Sequence, residues 1–168
     1  GNYAFNGCKG FNGNLILSDK LTSIPIGAFG GCTFLKGILN IPNSVTAIGT
    51  SAFFNCNKIN ELILSEYCGS IGDEAFNLCT GLTKISVKRK TPPTIFSNTF
   101  GSVNKNTCIL EVPSTSKSTY QAANYWKEFT NIIEKSDTVK ISIQVGIGGK
   151  VKDGSNDLPN NTVLNVLS

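Results

Sequence analysis

The sequence predicts a solenoid of short parallel β-strands, and three regularities along the chain of 168 residues predict it. The dipeptide Ala-Phe recurs at steps of 24, 24, 23 and 24 residues. Its copies are Ala4-Phe5, Ala28-Phe29, Ala52-Phe53, Ala75-Phe76 and the weaker Thr99-Phe100. A cysteine follows each of the first four Phe residues by three positions, and an alternating apolar pair follows later in every copy. A unit of about 23 residues cannot bury its own apolar side, so successive units are expected to stack.

Each unit is expected to supply one short strand with the pattern L-x-L. The apolar pairs are Leu15/Leu17, Leu39/Ile41, Leu62/Leu64, Ile85/Val87 and Leu110/Val112. In a strand both members of a pair point inward and the middle residue points outward. Stacking at about 4.8 Å then places the Phe, Cys and Ile residues of successive turns in columns inside the coil.

The remainder of each unit has no long segment with helical periodicity, so the Ala-Phe side is expected to form loops or 3₁₀ turns. Glycine and asparagine near each turn predict tight loops and left-handed backbone positions. These residues are Gly7, Gly31, Gly49, Asn55 and Gly72.

The copies of A-F-x-x-C-x-x-L, each followed by L-x-L and by Ile-Gly or Ile-Pro, resemble the BspA-like (Treponema pallidum type) leucine-rich-repeat family over about residues 1–133. The resemblance implies a leucine-rich-repeat solenoid of about five repeats, with short parallel strands joined by loops or 3₁₀ turns. It also implies an exported bacterial protein, located at the cell surface or outside the cell, that takes part in adhesion. The fifth unit departs from the pattern, because Thr99 replaces Ala and Val103 stands in the cysteine position.

A helix near residues 118–130 is expected to cap the C-terminal end of the solenoid, which would occupy residues 1–136. Ser118 and Gln121 have the spacing of a capping box, which places the helix at about 119–129. Apolar residues on one face of this helix and just beyond it are expected to cover the last turn: Tyr120, Ala123, Trp126, Phe129, Ile132 and Ile133. At the other end Gly1 opens directly into a repeat, so the natural protein is expected to begin earlier.

Residues 137–168 follow a different pattern and predict the start of a small glycine-rich β-domain, incomplete in this chain. Apolar residues alternate over 139–145, glycines interrupt the pattern over 146–149, and a second strand is expected over 162–167. About 30 residues are too few for an independent core. The segment is therefore expected either to pack on the cap or to belong to a larger domain, and the second alternative is preferred.

The residue types exclude several kinds of chemistry. The chain has no histidine, its carboxylates are scattered without paired spacing, and no nucleophile has a recognisable base, so no enzyme activity is expected. Four of the six cysteines share one repeat position and no C-x-x-C occurs, so the cysteines are interpreted as buried reduced thiols with no metal, and the redox state of Cys108 stays open. The segment Gly146–Lys150 lacks the Walker pattern, and no cofactor is expected.

The outward side of the strands is the candidate protein-binding face. The candidates are Asn14, Ile16, Ile38, Asn40, Glu61, Ile63, Lys84, Ser86, Lys88 and Glu111, with Ser18, Pro42, Ser65, Ile109 and Pro113 in the same alternation. The outward isoleucines predict either a contiguous interface patch or simply the β-propensity of short strands, and periodicity does not decide between the two.

The expected partner is a protein, either of the host matrix or of another cell surface. The basic cluster of Lys84, Lys88, Arg89 and Lys90 has no interleaved aromatic residues, so no nucleic acid is expected, and a solvated strand face and loop is the preferred interpretation. No apolar run reaches the roughly 20 residues that cross a bilayer. Two alternatives remain: a structural spacer that presents a neighbouring domain, and a carbohydrate-binding module using Tyr67, Tyr120 or Tyr125 if these are exposed.

Overall fold

The computed structural model describes residues 1–135 and, further on, the strands Thr138–Ser142, Val151–Lys152, Asp157–Leu158 and Val163–Leu167. The chain divides into two compact units, Gly1–Lys135 and Ser136–Ser168. Among the described residues, none of the helices has the length and apolar character needed to cross a membrane.

The first unit is a solenoid of parallel strands, as predicted, but its strands form two sheets where a single strand per turn was expected. The smaller sheet contains β1 (Ser23–Ile24), β3 (Ala47–Ile48) and β5 (Ser70–Ile71) in that order. The larger sheet contains, in order, β2 (Lys36–Asn40), β4 (Lys58–Leu64), β6 (Lys84–Val87), β7 (Ile109–Val112) and β8 (Ile132–Glu134). The strand β8 was not predicted: its first residue pairs with Leu110, so it continues the parallel sheet by one more turn.

The predicted phenylalanine column forms the centre of the core. Ring centroids of Phe5, Phe29, Phe53, Phe76 and Phe100 follow one another at 5.3–5.4 Å, with interplanar angles of 7° to 14°. The inward residues of the L-x-L pairs in β2, β4, β6 and β7 are buried around this column. Burial of these rings contributes to the stability of the unit at about 25 cal/mol per Å² of apolar surface removed from water.

The Ala-Phe side of each turn is held by backbone hydrogen bonds between turns. The N–H of Phe29 donates to the carbonyl of Ala52 at 2.8 Å, and the N–H of Phe53 donates to that of Ala75 at 2.9 Å. The positions two residues after Phe5, Phe29 and Phe53 are left-handed, as predicted for Gly7, Gly31 and Asn55.

The prediction of a left-handed backbone does not hold at Gly49 and Gly72, which are absent from the positive-φ positions. At Gly72 glycine is required by proximity instead: a Cβ there would lie 2.4 Å from the backbone nitrogen of Thr50 in the preceding turn. Neighbouring turns therefore touch at this corner through their backbones.

The cap is shorter than predicted and begins differently. The helix α1 spans Lys117–Ala122, and a 3₁₀ helix spans Trp126–Glu128. The predicted capping box is wrong, because Ser118 lies inside α1 and the N-cap residue is Ser116, which makes no side-chain cap bond. A carboxylate oxygen of Glu134 in β8 instead accepts a 2.9 Å hydrogen bond from the N–H of Lys117, so the helix start is tied to the last strand.

Aromatic residues of the cap close the phenylalanine column. Trp126 and Phe129 meet Phe100 at 5.6 and 5.8 Å between ring centroids, and all three are buried. The indole N–H of Trp126 donates to the carbonyl of Pro93 at 2.8 Å. Ile132 is buried as predicted, but Ile133 is 40% exposed and does not cover the last turn.

In the second unit, two antiparallel pairs are described. The strands β9 (Thr138–Ser142) and β12 (Val163–Leu167) pair with each other, and β10 (Val151–Lys152) pairs with β11 (Asp157–Leu158). These include the two predicted strand positions. The predicted glycine break at 146–149 lies outside the described residues, and an incomplete glycine-rich domain stays a prediction.

Candidate functional site

The outward face of the larger sheet consists of two rows of side chains, set by the parallel register. One row runs Ile38, Glu61, Lys84, Ile109. The other runs Asn40, Ile63, Ser86, Glu111, Ile133. We call these two rows, together with Asn14 and Ile16 of the first turn, the strand face. The first turn joins the sheet through a single bridge between Gly13 and Leu35.

An ion-pair network occupies the middle of the strand face, on β4, β6 and β7. The Nζ atom of Lys84 lies 3.1 Å from Glu111 Oε2 and 3.6 Å from Glu61 Oε1. The hydroxyl of Ser86 donates to Glu111 Oε1 at 3.2 Å, which fixes that carboxylate further. Hydrogen bonding to Glu111 raises the pKa of Lys84 above its ordinary value. Because these side chains are still partly exposed, each pair contributes only about 0.2–1 kcal/mol, and the network mainly fixes where charge is displayed.

Isoleucines lie on both sides of the network. On the N-terminal side Ile38 is 47% exposed and Ile16 is 92% exposed, whereas Ile63 is half-buried. On the C-terminal side Ile133 is 40% exposed. Ile38 lies opposite Glu61, two residues from Ile63, so these two isoleucines are diagonal neighbours rather than members of one row. The strand face therefore has a charged centre with isoleucines on either side of it.

Two residues of the predicted face are buried. Ser86 is 9% exposed because it lies in the middle strand beside the network, where Glu111 covers it. Ser65 is fully buried and was wrongly assigned to the outward side: β4 ends at Leu64, and strand alternation no longer applies beyond that residue. Lys88, by contrast, is exposed as expected.

The basic cluster does not act as one free patch. Lys84 is paired with two carboxylates, and an Nη atom of Arg89 donates to the carbonyl of Glu66 at 3.3 Å. Lys88 and Lys90 remain exposed. This arrangement agrees with a solvated strand end and loop.

The cysteine column has a role that the spacing did not reveal. Each of three thiols donates to the carbonyl of the phenylalanine in the preceding turn: Cys32 to Phe5 at 3.0 Å, Cys56 to Phe29 at 3.1 Å and Cys79 to Phe53 at 3.1 Å. All six cysteines are free thiols. Burial raises the pKa of Cys79 to about 12 and those of Cys68 and Cys108 to about 11, so these thiols are protonated and unreactive at neutral pH. Among the described residues, nowhere do three His, Cys, Asp or Glu side chains gather to hold a metal ion.

The fifth turn has no cysteine at the repeat position, and a threonine makes different hydrogen bonds in that turn. Thr99 Oγ1 donates to the carbonyl of Gly72 at 3.1 Å and accepts the N–H of Phe96 at 2.9 Å. Val103, in the cysteine position, is buried and only fills space. In this turn the side-chain hydrogen bond to the preceding turn therefore goes to the carbonyl of a glycine instead of that of a phenylalanine.

The aromatic residues suggested for carbohydrate binding behave differently from one another. Tyr67 is 54% exposed and Tyr125 is 37% exposed. Tyr120 is fully buried and its hydroxyl donates to the carbonyl of Arg89 at 2.7 Å, so it is a cap residue rather than a ligand platform.

A notch on the Ala-Phe side of the coil was not anticipated from the sequence. It encloses about 310 Å³ between the Ala-Phe turns of the first four units. Its walls are Asn6, Gly30, Gly31, Ser51, Phe54, Asn55 and Glu74. Comparing side-chain size down one repeat position would have located it, because Gly30 stands where the neighbouring turns carry Asn6 and Phe54.

Known proteins share the repeat. A family model described as "BspA type Leucine rich repeat region (6 copies)" matches residues 1–141. Among curated proteins, none matches the chain.

Two solved structures resemble the chain. One is a leucine-rich cell surface protein from Faecalibacterium prausnitzii, at 25% identity and a TM-score of 0.48, covering 61% of this chain and 25% of that one. The other is a leucine-rich repeat protein from Bacteroides ovatus, at 18% identity and a TM-score of 0.49, covering 80% of this chain and 40% of that one. The chain thus spans less than half the length of either protein.

Proposed function

The chain belongs to the BspA-type leucine-rich-repeat family, and from this premise we propose that it is a non-enzymatic protein-binding module of an exported bacterial surface protein. The binding site is the strand face, and the partner is a protein of the host matrix or of another cell surface. The observation that carries the proposal is the presence of exposed isoleucines on this face on both sides of an ordered Glu61–Lys84–Glu111 network.

The isoleucines and the charged centre of the strand face supply different parts of recognition. Isoleucine side chains that are exposed in the free protein gain free energy when a partner covers them, at about 25 cal/mol per Å² of buried apolar area. The charged centre carries two carboxylates and one ammonium group, so it favours a partner that presents a positive charge beside an apolar surface.

The experiment compares binding of wild-type and variant chains to immobilised purified host-matrix proteins and to intact bacterial cells. The double variant Ile16→Asp/Ile63→Asp is expected to lose at least about tenfold in affinity, because it replaces two apolar contacts of the strand face with charges. The variant Phe96→Asp is the matched control, since Phe96 is 49% exposed and lies outside the strand face. Equal loss in the control, or unchanged binding in the double variant, would exclude this face.

A spacer role is the alternative, and the ion-pair network favours it. Lys84, Glu61 and Glu111 satisfy one another, so the charged centre of the strand face does not need a partner. If no surface or matrix protein is retained by the wild-type chain under conditions where a neighbouring domain of the same protein binds, the repeats act as a spacer.

A further inference from the structure

The notch lies at the second turn, where two glycines interrupt the side chains of the Ala-Phe side while the turns stay in register. The N–H of Gly7 donates to the carbonyl of Gly30, and the N–H of Gly31 donates to that of Phe54, both at 2.7 Å. Backbone hydrogen bonds therefore join the second turn to both the first and the third turn. The space exists because Gly31 carries no side chain. At Gly30 the amide of Asn6 covers the backbone, with its Nδ2 2.7 Å from where a Cβ would lie.

The walls of the notch combine hydrogen-bonding groups of both kinds with one aromatic ring. Asn6 and Asn55 carry amides, Ser51 carries a hydroxyl, and Glu74 carries an acceptor carboxylate. Asn6 Nδ2 already donates to a backbone carbonyl at 3.4 Å and Asn55 Oδ1 accepts from a neighbouring amide at 3.5 Å, so each amide keeps its other polar atom for a ligand. The hydroxyl of Ser51 donates to Glu74 Oε2 at 3.4 Å, which orients the carboxylate and leaves Oε1 available. Phe54, half-buried, contributes an apolar wall.

The size and the charge of the notch restrict the ligand. About 310 Å³ lies at the lower end of the roughly 300–1,000 Å³ that small-molecule sites occupy, so the ligand is a single small ring rather than a chain. Glu74 is the one ionisable side chain in the lining, which disfavours anions such as phosphates. One carboxylate is also far from the six to eight oxygen ligands that Ca²⁺ takes, so a divalent cation fits poorly.

We propose that this notch binds one neutral sugar unit. Vicinal hydroxyls each donate and accept, which matches two amides, a hydroxyl and a carboxylate, while the C–H face of the ring lies against Phe54. This site goes beyond the proposed protein-binding function. It lies on the Ala-Phe side of the turns, it uses none of the strand-face residues, and the two functions stand or fall separately.

Saturation-transfer NMR on the full chain with free glucose, galactose, mannose and N-acetylglucosamine tests the proposal. At least one sugar is expected to bind with a Kd in the millimolar range, of the order that a small open site provides. Phe54→Ala and Glu74→Gln are each expected to weaken binding about tenfold, because they remove the apolar wall and the charged acceptor. Phe96→Ala is the control with an exposed aromatic residue elsewhere.

A variant that fills the notch separates ligand binding from folding. Gly31→Asn places a side chain on the floor in a left-handed conformation that Asn55 already adopts in the next turn. A Cβ at Gly31 meets its nearest atom at 3.5 Å, so the substitution introduces no clash. We expect it to abolish sugar binding while circular dichroism and strand-face binding stay unchanged. Absence of saturation transfer for all four sugars with the wild-type chain, or equal transfer with Gly31→Asn, would overturn the proposal.

Discussion

The first and last rings of the phenylalanine column differ in how far they are buried. At the C-terminal end Phe100 is buried beneath Trp126 and Phe129. In the first turn Phe5 stacks on Phe29 but is 44% exposed, with the edge of Phe11 beside it. The same residue type in the same column thus has full burial at one end and partial burial at the other. The stability of a turn depends on what covers it and not only on its own sequence.

The largest effect is expected from pH, which tests how well the covered interior excludes water. The ordinary thiol pKa of 9.0 is raised to about 12 at Cys79 and about 11 at Cys68 and Cys108. A pKa that is raised on folding stabilises the protein below the unfolded value, and this stabilisation is lost as the pH rises towards the folded value. The free energy of unfolding should therefore be level below pH 8 and fall above pH 9 by about 1 kcal/mol per pH unit for each buried thiol.

Urea unfolding between pH 7 and pH 11 measures this slope. The double variant Cys56→Val/Cys79→Val is expected to show a shallower slope, and valine is already accommodated at the equivalent position as Val103. An equal slope in the variant would show that folding does not raise the pKa of these two thiols.

Removing one aromatic residue at each end compares the ends directly. Trp126→Ala is expected to lower the free energy of unfolding by about 3–5 kcal/mol, because it opens a cavity at the closed end and leaves the Pro93 carbonyl without its donor. Phe5→Ala should cost about 1 kcal/mol, since its side chain is already partly exposed. Chemical denaturation followed by circular dichroism gives both values, and similar losses would contradict the difference between the ends.

Glycine substitution compares an interior turn with the first turn. Gly72→Ala is expected to cost about 2–3 kcal/mol, because its Cβ would lie 2.4 Å from the backbone of the preceding turn. At Gly7 a Cβ meets nothing within 4 Å, so Gly7→Ala carries only the left-handed penalty of about 1 kcal/mol. Thermal unfolding of the two variants tests whether contact between turns outweighs backbone conformation.

The smallest effect is expected at Leu78, which holds a left-handed conformation with φ of 60° where the equivalent positions carry Gly7, Gly31 and Asn55. The variant Leu78→Asn should stabilise the chain by about 0.5–1 kcal/mol, because asparagine tolerates this conformation better. Its side chain is 38% exposed, so little packing is lost. A decrease in stability would show that contacts of Leu78 outweigh its backbone strain.

Repeat spacing predicted the inward columns because the same position recurs in every turn. The stack of Phe29, Phe53 and Phe76 is the direct result, and so is the placement of Glu61, Lys84 and Glu111 on the outward side. These properties follow from periodicity, which is visible in one dimension.

Features that depend on contacts between unlike positions were missed. The start of α1 is held by Glu134, 17 residues further along the chain, and local spacing pointed to Ser118 and Gln121 instead. Burial of Ser65 follows from where β4 ends, which alternation alone does not reveal. The notch arises from a difference in side-chain size between adjacent turns, and such a difference disappears when copies are aligned to find what they share.

The thiol bonds join each interior turn to the one before it, while the Ala-Phe backbone amides join it to the one after. Cys56 reaches back to Phe29, and the N–H of Phe53 reaches forward to Ala75. A turn that loosens consequently withdraws support from both neighbours at once. Unfolding should therefore proceed from the half-covered first turn to each following turn in order. The rate of hydrogen exchange should decrease from turn to turn in the same direction.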